Sequence, residues 1–142
     1  MICGEKAIIA HIKLTDDEIK GKRIMVVDDE LDLTLLYRMC LEYYGFEVET
    51  YNKPRNALSS FKTGYYDLVI LDIKMPDMDG FELYKEIIRK DPNVRVCFLT
   101  ASELYYKEFR AKEYSALDKE LFIRKPIGNE ELITKIKRLV KN

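Results

Sequence analysis

The stretch that decides the fold is Leu68-Val69-Ile70-Leu71-Asp72-Ile73-Lys74-Met75-Pro76-Asp77-Met78-Asp79-Gly80. Its first four residues are apolar, which predicts a strand that is buried on both faces of a parallel sheet. Asp72 follows directly, and open α/β sheets bind their ligands outside the carboxyl ends of the strands. The stretch therefore predicts an α/β fold with a functional carboxylate, that of Asp72, at one edge of the sheet.

Three further apolar runs end in polar residues in the same way. These polar residues are Asp28-Asp29 after 24–27, Thr100 after 94–99 and Lys125-Pro126 after 121–123. If all four runs are parallel strands, three carboxylates, a hydroxyl and an ammonium meet at one edge of the sheet. Carboxylate oxygens suit a divalent cation, and hydroxyl and ammonium donors suit a phosphoryl group. The pattern thus predicts a combined metal and phosphoryl site.

Strand-like and helix-like patterns alternate five times from Arg23 onward, which predicts a parallel sheet with helices on both faces. The predicted strands are 23–27, 47–51, 68–71, 94–99 and 121–124. The predicted helices are 31–44, 54–62, 80–90, 103–114 and a last one that follows Asn129 as its cap. Gly45 is expected to end the first helix in a left-handed conformation, and Pro54 is tolerated in the first turn of the second.

Length, charge and cysteine content exclude several classes of protein. The 142 residues suffice for one domain with a real core. A net charge of -1, from 24 basic and 25 acidic residues, gives no basic field, so no direct nucleic-acid contact is expected. Cys3, Cys40 and Cys97 form no C-x-x-C pair and indicate a reduced, cytoplasmic protein. The sequence has no apolar run of about 20 residues, so no membrane insertion is expected.

Four motifs occur in a characteristic order: Asp28-Asp29, Asp72-x-x-Met75-Pro76-x-Met78-x-Gly80, Thr100-Ala101 and Lys125-Pro126. This order closely resembles the receiver domain of two-component response regulators, over about Lys22 to Asn142. The resemblance implies a flavodoxin-like (βα)5 three-layer sandwich with a five-stranded parallel sheet in the order 2-1-3-4-5. It divides the chain into residues 1–21, an N-terminal extension that is disordered or adds a short element, and the receiver domain, 22–142. Because the sequence ends with the fifth helix, a stand-alone receiver is expected.

The resemblance assigns roles to the polar residues at the sheet edge. Asp72 would accept a phosphoryl group from a phosphohistidine of a sensor histidine kinase or a histidine phosphotransfer protein. Mg2+, or Mn2+ in its place, would be held by Asp28, Asp29, Asp72 and the backbone carbonyl of Lys74, with Asp28 often acting through water. Thr100 and Lys125 would contact the phosphoryl oxygens, and without phosphate Lys125 should pair with Asp72.

Signal output and phosphoryl lifetime depend on residues around this core set. Phe122 takes the position of the family's switch aromatic but lacks the usual phenolic hydroxyl, and the 25 residues from Thr100 to Lys125 exceed the usual spacing. Lys74 and Ser102 flank the path of an attacking water and would tune the lifetime. The fourth helix, fifth strand and fifth helix are expected to form the face that binds a downstream protein effector, or a second copy in a homodimer. Aromatic residues of the fourth helix, Tyr105, Tyr106 and Phe109, would contribute to that face.

Two other classes compete with the receiver interpretation. Glu30-Leu31-Asp32-Leu33-Thr34-Leu35 superficially resembles the Asp-x-Asp-x-Thr-Leu signature of haloacid dehalogenases, which would make the chain a metal-dependent phosphohydrolase with an aspartyl nucleophile. However, Glu30 replaces the nucleophile, and Asp72 has Lys74 where a second Asp is needed. A DNA-binding regulator would need a reading domain and a basic helix, which the sequence lacks. We therefore expect a phosphoacceptor without enzymatic turnover beyond self-phosphorylation and slow autodephosphorylation.

Overall fold

The protein is a five-stranded parallel sheet covered by helices on both faces. The computed structural model describes residues 18–101, 107, 121–125 and 127–141. The strands are β1 (Arg23–Val27), β2 (Glu47–Tyr51), β3 (Leu68–Asp72), β4 (Val96–Thr100) and β5 (Phe122–Arg124), in the order β2-β1-β3-β4-β5. Every neighbouring pair is parallel. The predicted fold class, including the strand order, is confirmed.

The strand register brings the predicted polar residues to one edge of the sheet. Val27 of β1 pairs with Leu71 of β3, and Thr100 of β4 pairs with Arg124 of β5. Because the strands run in the same direction, Asp28, Asp72 and Lys125 all lie at their carboxyl ends beside Thr100. This is the edge at which open α/β sheets bind ligands.

Two apolar cores separate the three layers of the molecule. The helices are α1 (Leu31–Tyr43), α2 (Pro54–Ser60), α3 (Gly80–Lys90) and a C-terminal helix (Asn129–Lys141). One core joins the sheet to α1 and the C-terminal helix, through residues such as Cys40, Leu41, Ile133 and Ile136. The other joins it to α2 and α3, through residues such as Ala57, Leu83 and Ile87. Burying both faces explains why the central strands are almost entirely apolar.

Several element boundaries differ from their predicted positions by one or two residues. β4 runs from Val96 to Thr100 rather than 94–99, and β5 is shorter than predicted. α2 ends at Ser60 because Phe61 is extended, with φ -63° and ψ 132°. Asn129 was predicted to cap the last helix, but it is the first helical residue, and the Gly128 carbonyl accepts the amide of Leu132. The predicted helix 103–114 lies outside the described residues apart from Lys107.

The described chain begins with a turn that packs against the domain. Ile19 is fully buried in the core beside α1, and its carbonyl accepts the amide of Lys22 at 3.0 Å. At the far end of α1, Gly45 has φ +106°, the left-handed conformation that was predicted to end this helix. Within the described part of the chain, no helix has both the length and the apolar character needed to cross a membrane.

Candidate functional site

Three carboxylates converge at the carboxyl edge of the sheet. Asp28 and Asp29 follow β1, and Asp72 is the last residue of β3. One oxygen from each lies within 4.8 Å of the others. Asp28 and Asp72 are buried, whereas Asp29 is exposed. Two buried carboxylates side by side are unfavourable unless a positive charge compensates them, so this geometry calls for a cation.

Lys125 supplies part of that compensation from the end of β5. Its Nζ donates to Oδ2 of Asp28 at 2.7 Å and lies 3.5 Å from Oδ1 of Asp72. The ion pair that we expected between Lys125 and Asp72 is therefore present, and Asp28 is a second and nearer partner. Asp28 has no exposed surface, and a fully buried carboxylate has the greater need of a donor. One ammonium cannot balance three ionised carboxylates, so negative charge remains.

The carboxylate of Asp28 uses both of its oxygens within the protein. Oδ2 accepts from Lys125, while Oδ1 accepts the backbone amide of Glu30 at 3.0 Å. These bonds fix the orientation of Asp28 and offset the cost of burying it. Asp28 is thus held by two bonds and has no exposed surface, whereas Asp29 is exposed although one of its oxygens lies in the cluster.

The remaining negative charge is visible in the acid–base properties of the cluster. Burial raises the pKa of Asp72 to about 7, reinforced by the charge of Asp28, by a hydrogen bond with Asp29 and by the charge of Asp29, and opposed by the charge of Lys125. Burial alone would lower the pKa of Lys125, but its hydrogen bond to Asp28 and the charge of Asp72 raise it above the ordinary value. Near neutral pH the carboxyl group of Asp72 is therefore partly protonated, unless a metal cation binds beside it.

The residues present fit a magnesium ion. Mg2+ takes hard oxygen ligands, keeps several waters, and needs one or two protein carboxylates together with phosphate oxygens. Asp72 and the exposed Asp29 offer such oxygens within one cluster, and a divalent charge would offset the repulsion that raises the pKa of Asp72. Lys74 lies two residues after Asp72 in the loop that leaves β3, and its side chain is exposed.

Thr100 ends β4 next to Asp72 and is 1% exposed. Its backbone carbonyl accepts the amide of Lys125 at 2.9 Å, which links the ends of β4 and β5. The amide of Ile73 donates to the carbonyl of Leu99 at 3.1 Å, so the β3–β4 pairing continues past Asp72. These bonds place the hydroxyl-bearing residue and the ammonium-bearing residue on the same side of the acidic cluster.

The loop from Ile73 to Asp79 packs back against the end of β3. Met75 and Met78 are buried, and the amide of Gly80 donates to the carbonyl of Ile73 at 2.8 Å. A Cβ at position 80 would overlap the carbonyl oxygen of Asp72, so only glycine allows α3 to begin so close to the strand. Asp79 and Glu82 then form a capping box at the start of α3.

Phe122, the predicted switch aromatic, is buried in the core beside α3. Its backbone pairs with that of Phe98, and the two rings stack with centroids 5.4 Å apart. Phe98 also contacts Phe81 at 5.7 Å and Tyr84 at 5.4 Å, both on α3. The aromatic side chain thus lies inward in a cluster that reaches α3. Ser102, the second predicted lifetime residue, lies outside the described residues.

Sequence reasoning missed three residues that lie beside the acidic cluster: Asn52, Thr34 and Tyr37. The Nδ2 atom of Asn52 donates to the Asp28 carbonyl at 2.8 Å and to Oγ1 of Thr34 at 2.9 Å. Tyr37 is 7% exposed, and burial raises the pKa of its phenol, opposed by the charge of Lys125 and reinforced by the charges of Asp28 and Asp72. A signal did exist for Asn52, since it follows β2 as Asp28 follows β1. The alternating sequence of β2 concealed it, because the other site residues follow continuous apolar runs.

Comparison with known proteins identifies the family. A family model described as response regulator receiver domain matches residues 24–137. The transcriptional regulatory protein CpxR homolog of Haemophilus influenzae is 39% identical over 119 residues, which cover 84% of this chain and 50% of that protein. The chain therefore belongs to the receiver domains of response regulators, the signalling phosphoacceptor domains of two-component systems, which pair with histidine kinases.

Solved structures agree with this assignment. Response regulator protein TrrA of Thermotoga maritima, in complex with Mg2+-BeF, is 38% identical with a TM-score of 0.69, covering 83% of this chain and 98% of that one. A complex of histidine kinase ThkA with TrrA gives a TM-score of 0.68 at the same identity, covering 83% and 97%. This chain spans about half the length, 45% to 50%, of curated relatives that it matches.

Proposed function

We propose that Asp72 accepts a phosphoryl group from a phosphohistidine in a Mg2+-dependent reaction, and that the phosphorylated protein signals by binding a partner. The donor is a sensor histidine kinase or a histidine phosphotransfer protein, and the reaction takes place in the cytoplasm. The observation that carries the proposal is the cluster of Asp28, Asp29 and Asp72 with Lys125 in contact with two of them. A receiver match over residues 24–137 supports it.

The transfer needs little covalent chemistry from the protein. A carboxylate oxygen of Asp72 attacks phosphorus in line, a P–O bond forms, and the P–N bond to the donor imidazole breaks. The leaving imidazole nitrogen takes up a proton from water. Asp29, Asp72 and the Lys74 carbonyl would hold the metal ion, with Asp28 acting through water. When bound, the metal ion would neutralise negative charge on the phosphoryl oxygens. The protein's own task is to hold these groups in place.

Lys125 and Thr100 then receive the phosphoryl group. Lys125 lies 3.5 Å from Oδ1 of Asp72 and can follow the new negative charge away from Asp28. Thr100 is buried one strand away and can donate its hydroxyl to a phosphoryl oxygen. Both movements would alter the ends of β4 and β5. We propose that this change reaches a downstream effector, or a second copy of the chain, through the face that the predicted helix 103–114 forms with β5 and the C-terminal helix.

An exposed apolar stripe supports a protein donor rather than a small molecule. Leu31, Leu35 and Met39 of α1 are 58%, 48% and 54% exposed. Their i, i+4, i+8 spacing places them on one face of the helix, which starts directly beside Asp28 and Asp29. Exposed apolar patches of this kind mark protein contacts. The solved complex of histidine kinase ThkA with TrrA supports a histidine kinase as the partner.

Among the described residues, the segment with the haloacid dehalogenase resemblance does not favour the phosphohydrolase alternative. In the segment that resembles the haloacid dehalogenase signature, Glu30 is exposed and is the N-cap residue of α1. Asp72 is followed two residues later by the exposed Lys74, where a second carboxylate would be required. Steady turnover of a phosphomonoester would nevertheless support that class, whereas one acyl phosphate per chain would support the receiver.

The test is phosphoryl transfer from candidate kinases charged with radiolabelled ATP. Asp72→Asn should abolish labelling, and EDTA should abolish it in the unchanged protein. Asp29→Asn should weaken Mg2+ binding and slow labelling. Asp32→Asn, which removes an exposed acid of α1 outside the cluster, is the matched control and should label normally. Labelling of Asp72→Asn at the normal rate would mean that another residue is the acceptor.

A separate measurement tests whether the kinase docks on the apolar stripe of α1. Leu35→Glu should slow transfer from the kinase at least several-fold, because it places a charge in the centre of the apolar contact. The same variant should label normally with acetyl phosphate, a small donor that needs no docking surface. Equal rates from the kinase for Leu35→Glu and the unchanged protein would exclude α1 as the docking face.

A further inference from the structure

Asn52 joins an edge strand to the acidic site without belonging to any of the four family motifs. It is the first residue after β2, and β2 contributes no carboxylate to the cluster. Its side chain nevertheless reaches the end of β1, where Nδ2 donates to the carbonyl oxygen of Asp28 at 2.8 Å. The backbone amide of Asp28 donates in turn to the carbonyl of Tyr51 at 3.1 Å. The end of β1 is therefore held twice by the end of β2.

The side-chain amide of Asn52 also binds the first turn of α1. Nδ2 of Asn52 donates to Oγ1 of Thr34 at 2.9 Å, and this hydroxyl donates to the carbonyl of Leu31 at 2.9 Å. Thr34 is 1% exposed, so water competes little for these bonds. One side chain thus connects Asp28, the residue that follows β1, with the turn in which α1 begins. The short segment between these two points contains Asp29.

Electrostatics explains why Asp29 needs such support. Asp28, Asp29 and Asp72 bring oxygens within 4.8 Å of one another, and like charges at that distance repel. Lys125 contacts Asp28 and Asp72, both buried, whereas Asp29 is exposed. Repulsion would therefore displace the exposed acid outward most easily. The two hydrogen bonds of Asn52, to the Asp28 carbonyl and to Thr34, form a clamp on either side of Asp29. This clamp resists the displacement of Asp29 before any cation binds.

We propose that Asn52 is a positioning residue that preorganises Asp29 for the divalent cation. It acts through the Asp28 carbonyl and Thr34 and does not itself bind the metal. The inference rests on the proposed Mg2+ site, but its test requires no phosphate and no kinase. Residues that orient the ligands of a metal typically contribute about 10- to 100-fold to its affinity.

The experiment measures Mg2+ affinity by titration calorimetry on the folded full chain, with unfolding by urea in EDTA measured in parallel. Asn52→Ala should weaken Mg2+ binding about tenfold. Asn52→Asp keeps the shape, removes both N–H donors and adds a negative charge close to the site. Added charge alone would strengthen cation binding, so weaker binding by this variant points to the lost donors.

Two further variants separate the clamp from general effects. Asn56→Asp adds the same charge on the exposed side of α2 and should leave the affinity unchanged or slightly higher. Thr34→Val removes the acceptor in α1, and the double variant with Asn52→Ala should bind no more weakly than Asn52→Ala alone, because both act through one clamp. If Asn52→Ala does not fold, Thr34→Val and Asn52→Asp carry the same test.

The outcomes distinguish this inference from the proposed function. A loss of stability in EDTA with unchanged Mg2+ affinity would make Asn52 a structural connector and overturn the inference, while labelling of Asp72 would still stand. Affinity reduced in Asn52→Ala and Asn52→Asp but not in Asn56→Asp supports it. If the unchanged protein bound no Mg2+ at millimolar concentration, both the inference and the proposed metal-dependent reaction would fail.

Discussion

The two loops that carry the acidic cluster are held in shape in different ways. The loop after β3 is stabilised by its own residues, since Met75 and Met78 are buried and Gly80 donates to Ile73. The loop after β1 is stabilised by Asn52, which lies 24 residues from Asp28, its partner. A self-contained loop can be recognised as a motif in the sequence. A loop that depends on a distant side chain shows its functional residues in the sequence, here Asp28-Asp29, but not the residue that supports it.

The two loops also differ in the direction of their main contacts. The β3 loop folds inward, with Ile73 fully buried and α3 starting against the strand. The β1 loop leaves Asp29 exposed and relies on hydrogen bonds across the sheet edge. Steric contacts of the first kind tolerate no added atoms, whereas polar contacts of the second kind can be weakened by degrees. Changes in the β3 loop should therefore have the larger effects on stability.

The largest effect is expected from Gly80→Ala. Its Cβ would overlap the Asp72 carbonyl oxygen and lie 2.9 Å from Cα of Ile73, both of which are backbone atoms of the self-contained loop. Displacing them should lower the free energy of unfolding by about 3 kcal/mol, in the range of overpacked cores. Urea unfolding in EDTA measures this value.

Gly128→Ala is the matched control, because a Cβ there meets nothing within 4 Å. It should change the free energy of unfolding by no more than about 0.5 kcal/mol. If the two substitutions had similar effects, the close approach of α3 to β3 would not be what holds the β3 loop in place.

The second-largest effect is the pH dependence of stability, which arises because Asp72 of the β3 loop lies beside Asp28 of the β1 loop. The pKa of Asp72 is raised from 3.8 to about 7 in the folded protein, chiefly by burial and then by Asp28. An acid whose pKa is higher in the folded than in the unfolded protein contributes stability. This contribution is complete below the unfolded pKa and is lost as the pH rises through the folded pKa. Without metal, the free energy of unfolding should therefore fall between about pH 4 and pH 7 on account of Asp72.

Asp72→Asn should remove this dependence and stabilise the metal-free protein at pH 8. One pKa unit corresponds to about 1.4 kcal/mol, so a gain of about 1 to 4 kcal/mol is expected, shrinking towards pH 5. Thermal and urea unfolding in EDTA at both pH values measure it. A gain that is equally large at pH 5 and pH 8 would show that relief of charge repulsion is not the cause. Saturating Mg2+ should reverse the order of stability, because the variant loses a ligand.

Much of the fold and part of the site could be predicted from the sequence, for local reasons. The strand order followed from the family resemblance, and continuous apolar runs located β1, β3, β4 and β5 at the correct edge of the sheet. Asp28, Asp72, Thr100 and Lys125 come together because each follows such a run. Helix ends were less accurate, as at Asn129, because a cap depends on backbone bonds that neighbouring residues share.

The contacts that sequence reasoning missed all span different elements. Lys125 prefers Asp28 to Asp72 because of relative burial, which no motif encodes. The stacking of Phe122 on Phe98 depends on the register of β4 and β5, which pairs these two distant residues. The position of Asn52 after β2 becomes informative only once the end of β2 is known to adjoin the end of β1. Pairings between elements need the register and depth of burial, and those come only from the assembled sheet.

The smallest effect is expected at Lys74, the exposed position of the otherwise inward-folded β3 loop. It lies two residues after Asp72 on the side open to solvent, so its side chain can obstruct an attacking water or engage the phosphoryl group. Lys74→Ala should shorten the half-life of the acyl phosphate several-fold without changing the free energy of unfolding, because no buried surface is lost. Loss of label after removal of the kinase measures this half-life. Lys53→Ala, at an exposed position after β2, should leave it unchanged. A half-life that stays constant or lengthens in Lys74→Ala would assign control of hydrolysis to other residues of the site, and the β3 loop would then contribute only its shape.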